Sequence, residues 1–197
     1  MTTSEVHLDG GECRTLTSVK TSEVSMEEEP EVQRFIAATS SITEANKLYM
    51  IEYREALDEE SSSAALKKTE LQMQGCEEQK HASFVHLNSS SFDASLISII
   101  QKREAALFQL NGDVVKKHAI IPIESPHRIG WSNLEENKIA SLSNSCLLSI
   151  FSIEPLKNTF STELMEKAVA LAFSPHKKDE IAVAAGRSLN IIDSRVK

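Results

Sequence analysis

The 197 residues carry 29 acidic side chains against 21 basic ones, a net charge of −8, which argues against nucleic acid as a partner because phosphate binding needs clustered lysine and arginine. No apolar run approaches the roughly 18 residues of a membrane-spanning helix, and residues 1–11 carry acids without the apolar centre of a signal peptide. Three cysteines, Cys13, Cys76 and Cys146, odd in number and far apart, fit a reducing compartment better than a disulfide framework.

Taken in chain order, the first apolar runs are RFIAAT (34–39) and LYMIEY (48–53), short and bounded by polar residues, as strands are. They belong to a first unit of about residues 5–80, interrupted by two polar insertions. Residues 17–31 contain Glu27-Glu28-Glu29, and 54–80 contain Asp58-Glu59-Glu60 and Ser61-Ser62-Ser63; both read as solvated connections. Within the second insertion, 63–73 is also compatible with a helix, since Ala64, Ala65, Leu66, Lys67 and Lys68 are good helix formers.

A second unit, about 81–115, begins at His86 and closes on ALFQL (106–110). Here Phe92, Leu96, Ile99, Ile100, Arg103, Leu107 and Leu110 also form a helical stripe, the competing reading. The third unit, about 125–158, runs from Trp131 to LLSIF (147–151). The fourth, about 165–195, holds three runs, 169–173, 181–184 and 189–192, and ends on Ile192-Asp193-Ser194-Arg195. Val169, Leu171 and Phe173 alternate with Ala168, Ala170 and Ala172, the pattern of a strand packed on its faces, while Ser161 before Leu164 and Met165 leaves room for a short helix at 162–167.

Phe173 and Trp131 lie 42 residues apart, and Trp131 and His86 lie 45 apart. Both intervals match the roughly 40–45 residues of one four-stranded blade of a β-propeller. The last unit ends where a tryptophan-aspartate signature normally sits. The expected fold is therefore all-β: a partial WD-repeat β-propeller of four blades spanning 1–197, open rather than closed. A generic antiparallel sandwich is the alternative, but it has no reason to repeat at this period. Phe35, Ile36, Tyr49, Ile51, Leu107, Trp131, Ile139, Leu148, Ile150, Leu171, Phe173, Ile181, Val183, Leu189 and Ile191 are the residues expected to hold the blades together.

The order of Cys13-Arg14-Thr15-Leu16-Thr17, RFIAATSS (34–41), LYMIEY (48–53), ALFQL (106–110), IGWSNLEENKIASLSNSCLLSIF (129–151) and the terminal blade resembles the EARP-interacting proteins, also called EARP and GARP complex-interacting proteins. Where that family keeps aspartate in its closing strands, this chain has Gln109 and Ser152. The resemblance implies a non-enzymatic adaptor that binds subunits of the EARP and GARP tethering complexes in endosomal recycling and vesicle traffic. It implies a cytoplasmic protein held at endosomes and the trans-Golgi network through those partners. It also implies seven blades, so the chain corresponds to the N-terminal half, expected to be a fragment or to assemble with another chain. A generic WD-repeat scaffold of another complex, chromatin or ubiquitin ligase, is the alternative.

Nothing in the residues points to catalysis. His7, His81, His86, His118, His127 and His176 have no metal-ligand spacing, and His86 reads as a packed strand residue. Gly10-Gly11 is not followed by the residues of a phosphate loop, and no serine lies in a nucleophile elbow. Lys116-Lys117-His118 and His176-Lys177-Lys178 read as solvated turns, and Asn88-Ser89-Ser90, a glycosylation sequon by pattern, reads as a polar turn. The sequence assigns no catalytic, cofactor-binding or metal-binding residue, and partners contact surfaces that it does not identify.

Overall fold

Short, apolar-rich segments separated by tight turns form strands throughout the described residues. The computed structural model describes residues 8–9, 12–19, 32–40, 46–54, 65–75, 84–102 and 104–196, and among these there is no helix. The strands are β1 (Glu12–Val19), β2 (Val32–Ser40), β3 (Leu48–Arg54) and β4 (Ala65–Gln74); β5 (Phe84–Ser89), β6 (Leu96–Gln101), β7 (Glu104–Asn111) and β8 (Val114–Ile121); β9 (Pro126–Trp131), β10 (Lys138–Ser143), β11 (Leu147–Ile153) and β12 (Leu156–Glu163); and β13 (Ala168–Phe173), β14 (Glu180–Ala185) and β15 (Ser188–Asp193). Each group is an antiparallel meander. The first two groups join into one eight-stranded sheet, because β4 and β8 pair in parallel over three residues, Gln72 with Val114 to Gln74 with Lys116. The third group forms a four-stranded sheet and the last a three-stranded one.

β1, β5, β9 and β13 stand side by side as the inner row, so the groups are successive blades of an open, partial propeller. Three apolar layers lie between them. Ile36, Ala38, Leu48 and Met50 of the first blade meet Leu87, Ile97, Ile99 and Phe108 of the second. Ile100 and Leu107 meet Ile129, Trp131, Ile139 and Phe151. Ala140, Leu142, Leu148 and Ile150 meet Phe173, Ile181 and Val183. A strand points successive side chains to opposite faces, so a strand with a blade on each side must be apolar at consecutive positions. Ile97, Ser98, Ile99 and Ile100 are all at most 1 % exposed for that reason. The same continuity explains why the helical stripe over 92–110 is not realised, since one stripe cannot satisfy two facing blades.

Turns repeat as faithfully as the layers. Ser90 Oγ accepts the amides of Phe92 (3.2 Å) and Asp93 (3.1 Å); Ser132 Oγ accepts those of Leu134 (3.2 Å) and Glu135 (3.1 Å); Ser174 Oγ accepts those of His176 (3.3 Å) and Lys177 (3.1 Å). These three serines recur every 42 residues. Each caps the loop that reverses an inner strand into its neighbour, satisfying amides that no ladder reaches. Gly112 and Gly186, with φ of +63° and +56°, supply the left-handed backbone of the β7–β8 and β14–β15 hairpins.

Several expectations are corrected. Residues 54–80 are not merely a solvated insertion, and 63–73 is not helical: β4 runs through them, its Leu71 buried with Leu48 and Met50. Burial against neighbouring strands outweighs a weak helix propensity. Residues 17–19 complete β1, and the remaining insertion residues, 20–31, 55–64 and 76–80, lie outside the described residues. Residues 162–167 form the end of β12 and a turn instead of a helix. The outer strands continue to Ile121 and Glu163, past the expected unit ends at 115 and 158, because a blade needs a full fourth strand to cover the third. His86 is not the counterpart of Trp131. Trp131 pairs with Ile139 and Ser89 pairs with Ile97, so Ser89 holds that place and the interval is again 42. Leu189 and Ile191, expected to hold blades together, are 70 % and 63 % exposed; no described blade lies on their side of β15. Phe35, Ile51 and Leu171 are only half-buried.

Leu148 is fully buried between the third and fourth blades. Leu148→Ala is expected to cost about 2–5 kcal/mol, read as a lower midpoint in urea unfolding.

Candidate functional site

The first two blades diverge on one side of β4 and β8, and the gap between them is a cleft of about 470 Å³. Met50 and Leu110 give it an apolar floor, and the β7–β8 turn at Gly112 and Asp113 forms one lip. The wall is charged. Arg34 Nε lies 3.0 Å from Glu52 Oε1 and Lys67 Nζ lies 3.4 Å from Glu52 Oε2, three neighbouring strands placing these side chains in line through the pairs Arg34 with Glu52 and Glu52 with Lys67. Burial works to raise the Glu52 carboxyl, but the hydrogen bonds from Arg34 and Lys67 outweigh it and hold the pKa below 4.5. The carboxylate side chain is 15 % exposed, whereas Arg34 is 42 % and Lys67 73 % exposed. The cleft therefore presents two cations outward around one shielded anion, suited to a polar or acidic chain segment.

Polar ties cross between blades near the inner row. His86 Nε2 donates to the carbonyl of Ile129 (3.0 Å), which Asn88 Nδ2 also reaches (3.1 Å), and His127 Nε2 donates to that of Ala168 (2.8 Å). Trp131 Nε1 donates to Ser98 Oγ (3.0 Å), and Ser98 in turn donates to the carbonyl of Asn88 (3.1 Å). Burial lowers the pKa of both histidines below the ordinary 6.5, with the charge of Arg128 adding to it against the carbonyl bonds. Nδ1 of His127 is buried without a partner, so a proton there would have nothing to bond to. Gly130 lies under the next inner strand: a Cβ on it would come within 2.4 Å of Leu171 Cδ1.

Among the residues singled out in sequence, His86 and His127 are thus structural links, and Trp131 anchors a blade. His118 and Lys116 point outward from β8, and Lys117 pairs with Glu104 at 2.6 Å; this trio is strand, not turn, being the outer edge that completes the second blade. His176-Lys177-Lys178 does form an exposed turn, with Lys177 on Glu180 at 2.6 Å. Asp193 bonds Arg195, whose guanidinium lowers its pKa to about 2. Cys13 is exposed and Cys146 half-buried, both free thiols; His7, His81 and Cys76 lie outside the described residues. Among the described residues no three His, Cys, Asp or Glu side chains gather as a metal site. Sequence reading passed over Arg34, Glu52 and Lys67, whose only signal was alternation of charge on facing strands.

No protein-family model matches the chain, and no curated protein does. Solved structures do. The chain is similar to the WD40 domain of Toxoplasma gondii coronin, with a TM-score of 0.62 and 16 % identity, over 95 % of this chain and 50 % of that one. It also aligns with KlHsv2 carrying a Gly-Ser linker in place of loop 6CD, with a TM-score of 0.44 and 17 % identity, over 57 % of this chain and 36 % of that one. The coronin match establishes the WD-repeat propeller fold, and the chain spans half the length of that domain.

Because both histidine pKa values are lowered from 6.5, the unfolded chain binds more protons than the fold just below that pH. Their contribution to stability is complete above about pH 6.5 and is lost as the pH falls towards the folded values. The thermal midpoint is expected to decline between about pH 7 and pH 5, and His86→Gln with His127→Gln, which keep a donor for each carbonyl, should flatten that part of the profile.

Proposed function

We propose that this chain is a non-enzymatic adaptor whose blades present protein-binding surface, and that its partners are subunits of the EARP and GARP tethering complexes. The observation that carries the adaptor reading is the propeller fold itself, a rigid stack in which many loops converge and binding surface can be composite. The order of RFIAATSS, LYMIEY and the terminal blade supports the choice of partner. On this reading the chain acts in endosomal recycling and vesicle traffic, held at endosomes and the trans-Golgi network through its partners. The cleft with Arg34 and Lys67 is the contact we favour, since its outward cations suit an acidic segment of a tethering subunit.

The test is to express the tagged chain in its native cells and identify co-purifying proteins by mass spectrometry. Stoichiometric tethering-complex subunits are expected, lost on Trp131→Ala through loss of the fold and on Arg34→Glu with Lys67→Glu while far-UV circular dichroism stays unchanged. Recovery of chaperones alone, or of a different stoichiometric complex, would overturn the assignment.

A further inference from the structure

The stack joins blade to blade three times, and the joints differ at one register position. Leu96, Lys138 and Glu180 each open the second strand of a blade, their carbonyls accepting the amides of Ser90, Ser132 and Ser174. Arg34 holds the same place in the first blade, since Arg34 with Glu52 adjoins Ile36 with Met50 as Lys138 with Ser152 adjoins Ala140 with Ile150. At the third joint Lys138 Nζ meets Asp179 Oδ1 of the fourth blade at 3.3 Å, and the lysine is 18 % exposed. At the second joint Leu96 packs against the apolar layer. At the first joint the residue that corresponds to Asp179, two intervals of 42 back, is Ser95.

The first joint therefore sets a cation and a serine where the third has an ion pair, and both residues line the cleft of about 470 Å³. Ser95 has no charge to offer. The acid of its loop, Asp93, is turned onto that loop: its Oδ1 accepts from the Ser95 amide at 2.8 Å and from Ser95 Oγ at 2.7 Å. Arg34 gives only Nε to Glu52, and among the described residues neither of its Nη groups has a hydrogen-bond partner. Those two nitrogens form the fork that matches a carboxylate. Lys67 adds a second cation from the neighbouring strand. Beneath the cations the floor is apolar, with Met50 and Leu110, and Asp113 stands on the lip.

We infer that the cleft is a seat for one carboxylate side chain with an apolar neighbour, both carried by an extended segment of a partner chain. The acid docks on Arg34 and Lys67, taking the part that Asp179 plays within the third joint. The apolar side chain beside it, of leucine size, covers Met50 and Leu110. This deepens the contact proposed above and rests on that reading of the cleft. The volume falls among small-ligand pockets of roughly 300–1,000 Å³, so the seat takes a few side chains and not a folded surface. A single carboxylate suits it better than a phosphate, because a second negative charge would meet Glu52 in the same wall and Asp113 on the lip.

An NMR titration of the isotope-labelled 197-residue chain with the capped peptide acetyl-Gly-Asp-Leu-Gly-amide tests this. Amide shifts are expected at Val19, Gly112 and Asp113, which line the cleft, with a dissociation constant of about 1 mM. Asparagine in place of the peptide's aspartate, or Arg34→Gln in the protein, should weaken binding roughly tenfold, the loss of one charge-assisted hydrogen bond. Asp93→Lys with Ser95→Asp copies Lys177 and Asp179 of the fourth blade and supplies the carboxylate from within. Peptide binding should then be lost while the thermal midpoint does not fall. Equal binding of the asparagine peptide, unchanged binding in the loop variant, or no shift up to about 20 mM peptide would overturn the proposal. So would binding that appears only once the acidic runs 27–29 and 58–60 are replaced by glutamine, since the chain would then fill the seat itself. None of these results depends on which proteins co-purify from cells, so a failed seat leaves the adaptor reading to that separate measurement.

Discussion

Burial of both faces of the second strand in each interior blade is the constraint on which the rest of this structure depends. A blade in the interior of the stack has no solvent side for its second and third strands, so Ile97 to Ile100 and Ile139 to Leu142 must be compatible with a dry environment at each consecutive position. The buried serines among them show how the constraint is met when a polar group is placed there. Ser98 accepts from Trp131 and donates to the Asn88 carbonyl, and Ser141 donates to the Arg128 carbonyl at 3.1 Å, so neither hydroxyl is buried unbonded.

Stacking by apolar layers alone would leave the blades free to slide, since such contacts are not directional. Direction comes from the side-chain bonds that leap one repeat. His86 and Asn88 hold the Ile129 carbonyl, His127 holds that of Ala168, and Lys138 reaches Asp179 in the next blade at 3.3 Å. Each spans about one repeat and fastens an inner strand or its loop to its successor. The first joint differs: the parallel pairing of β4 with β8 ties the outer edges together, and the wedge left beside that tie becomes the Arg34–Glu52–Lys67 cleft. Site and seam thus have one origin, the divergence of two blades joined at their rims.

Among the described residues, Lys117 with Glu104 and Lys138 with Asp179 are ion-paired at strand surfaces, and the two histidines serve as links between blades.

The sequence by itself determined the all-β class, a repeat near 42 residues and some of the layer-forming side chains, among them Ile36, Leu107, Trp131, Ile139, Leu148 and Ile181, because alternation and turn chemistry are local and leave their mark in any single stretch. The repeated serines at 90, 132 and 174 were legible too, yet the anchor on His86 concealed the regular interval, since His86 and Ser89 both sit in one polar-edged strand and only pairing with Ile97 separates them. Tertiary structure alone decided that β4 exists, for its polar stretch, with Lys67, Lys68, Glu70, Gln72 and Gln74, has no apolar pattern strong enough to outvote a helix until it is laid against Leu48 and Met50. It alone placed Arg34, Glu52 and Lys67 in one wall, because contacts between strands depend on register, which no single segment encodes. And it alone separated Leu148 from Leu189, two leucines at the same position of neighbouring blades, one buried and one in solvent, since burial is a property of what lies on the other side.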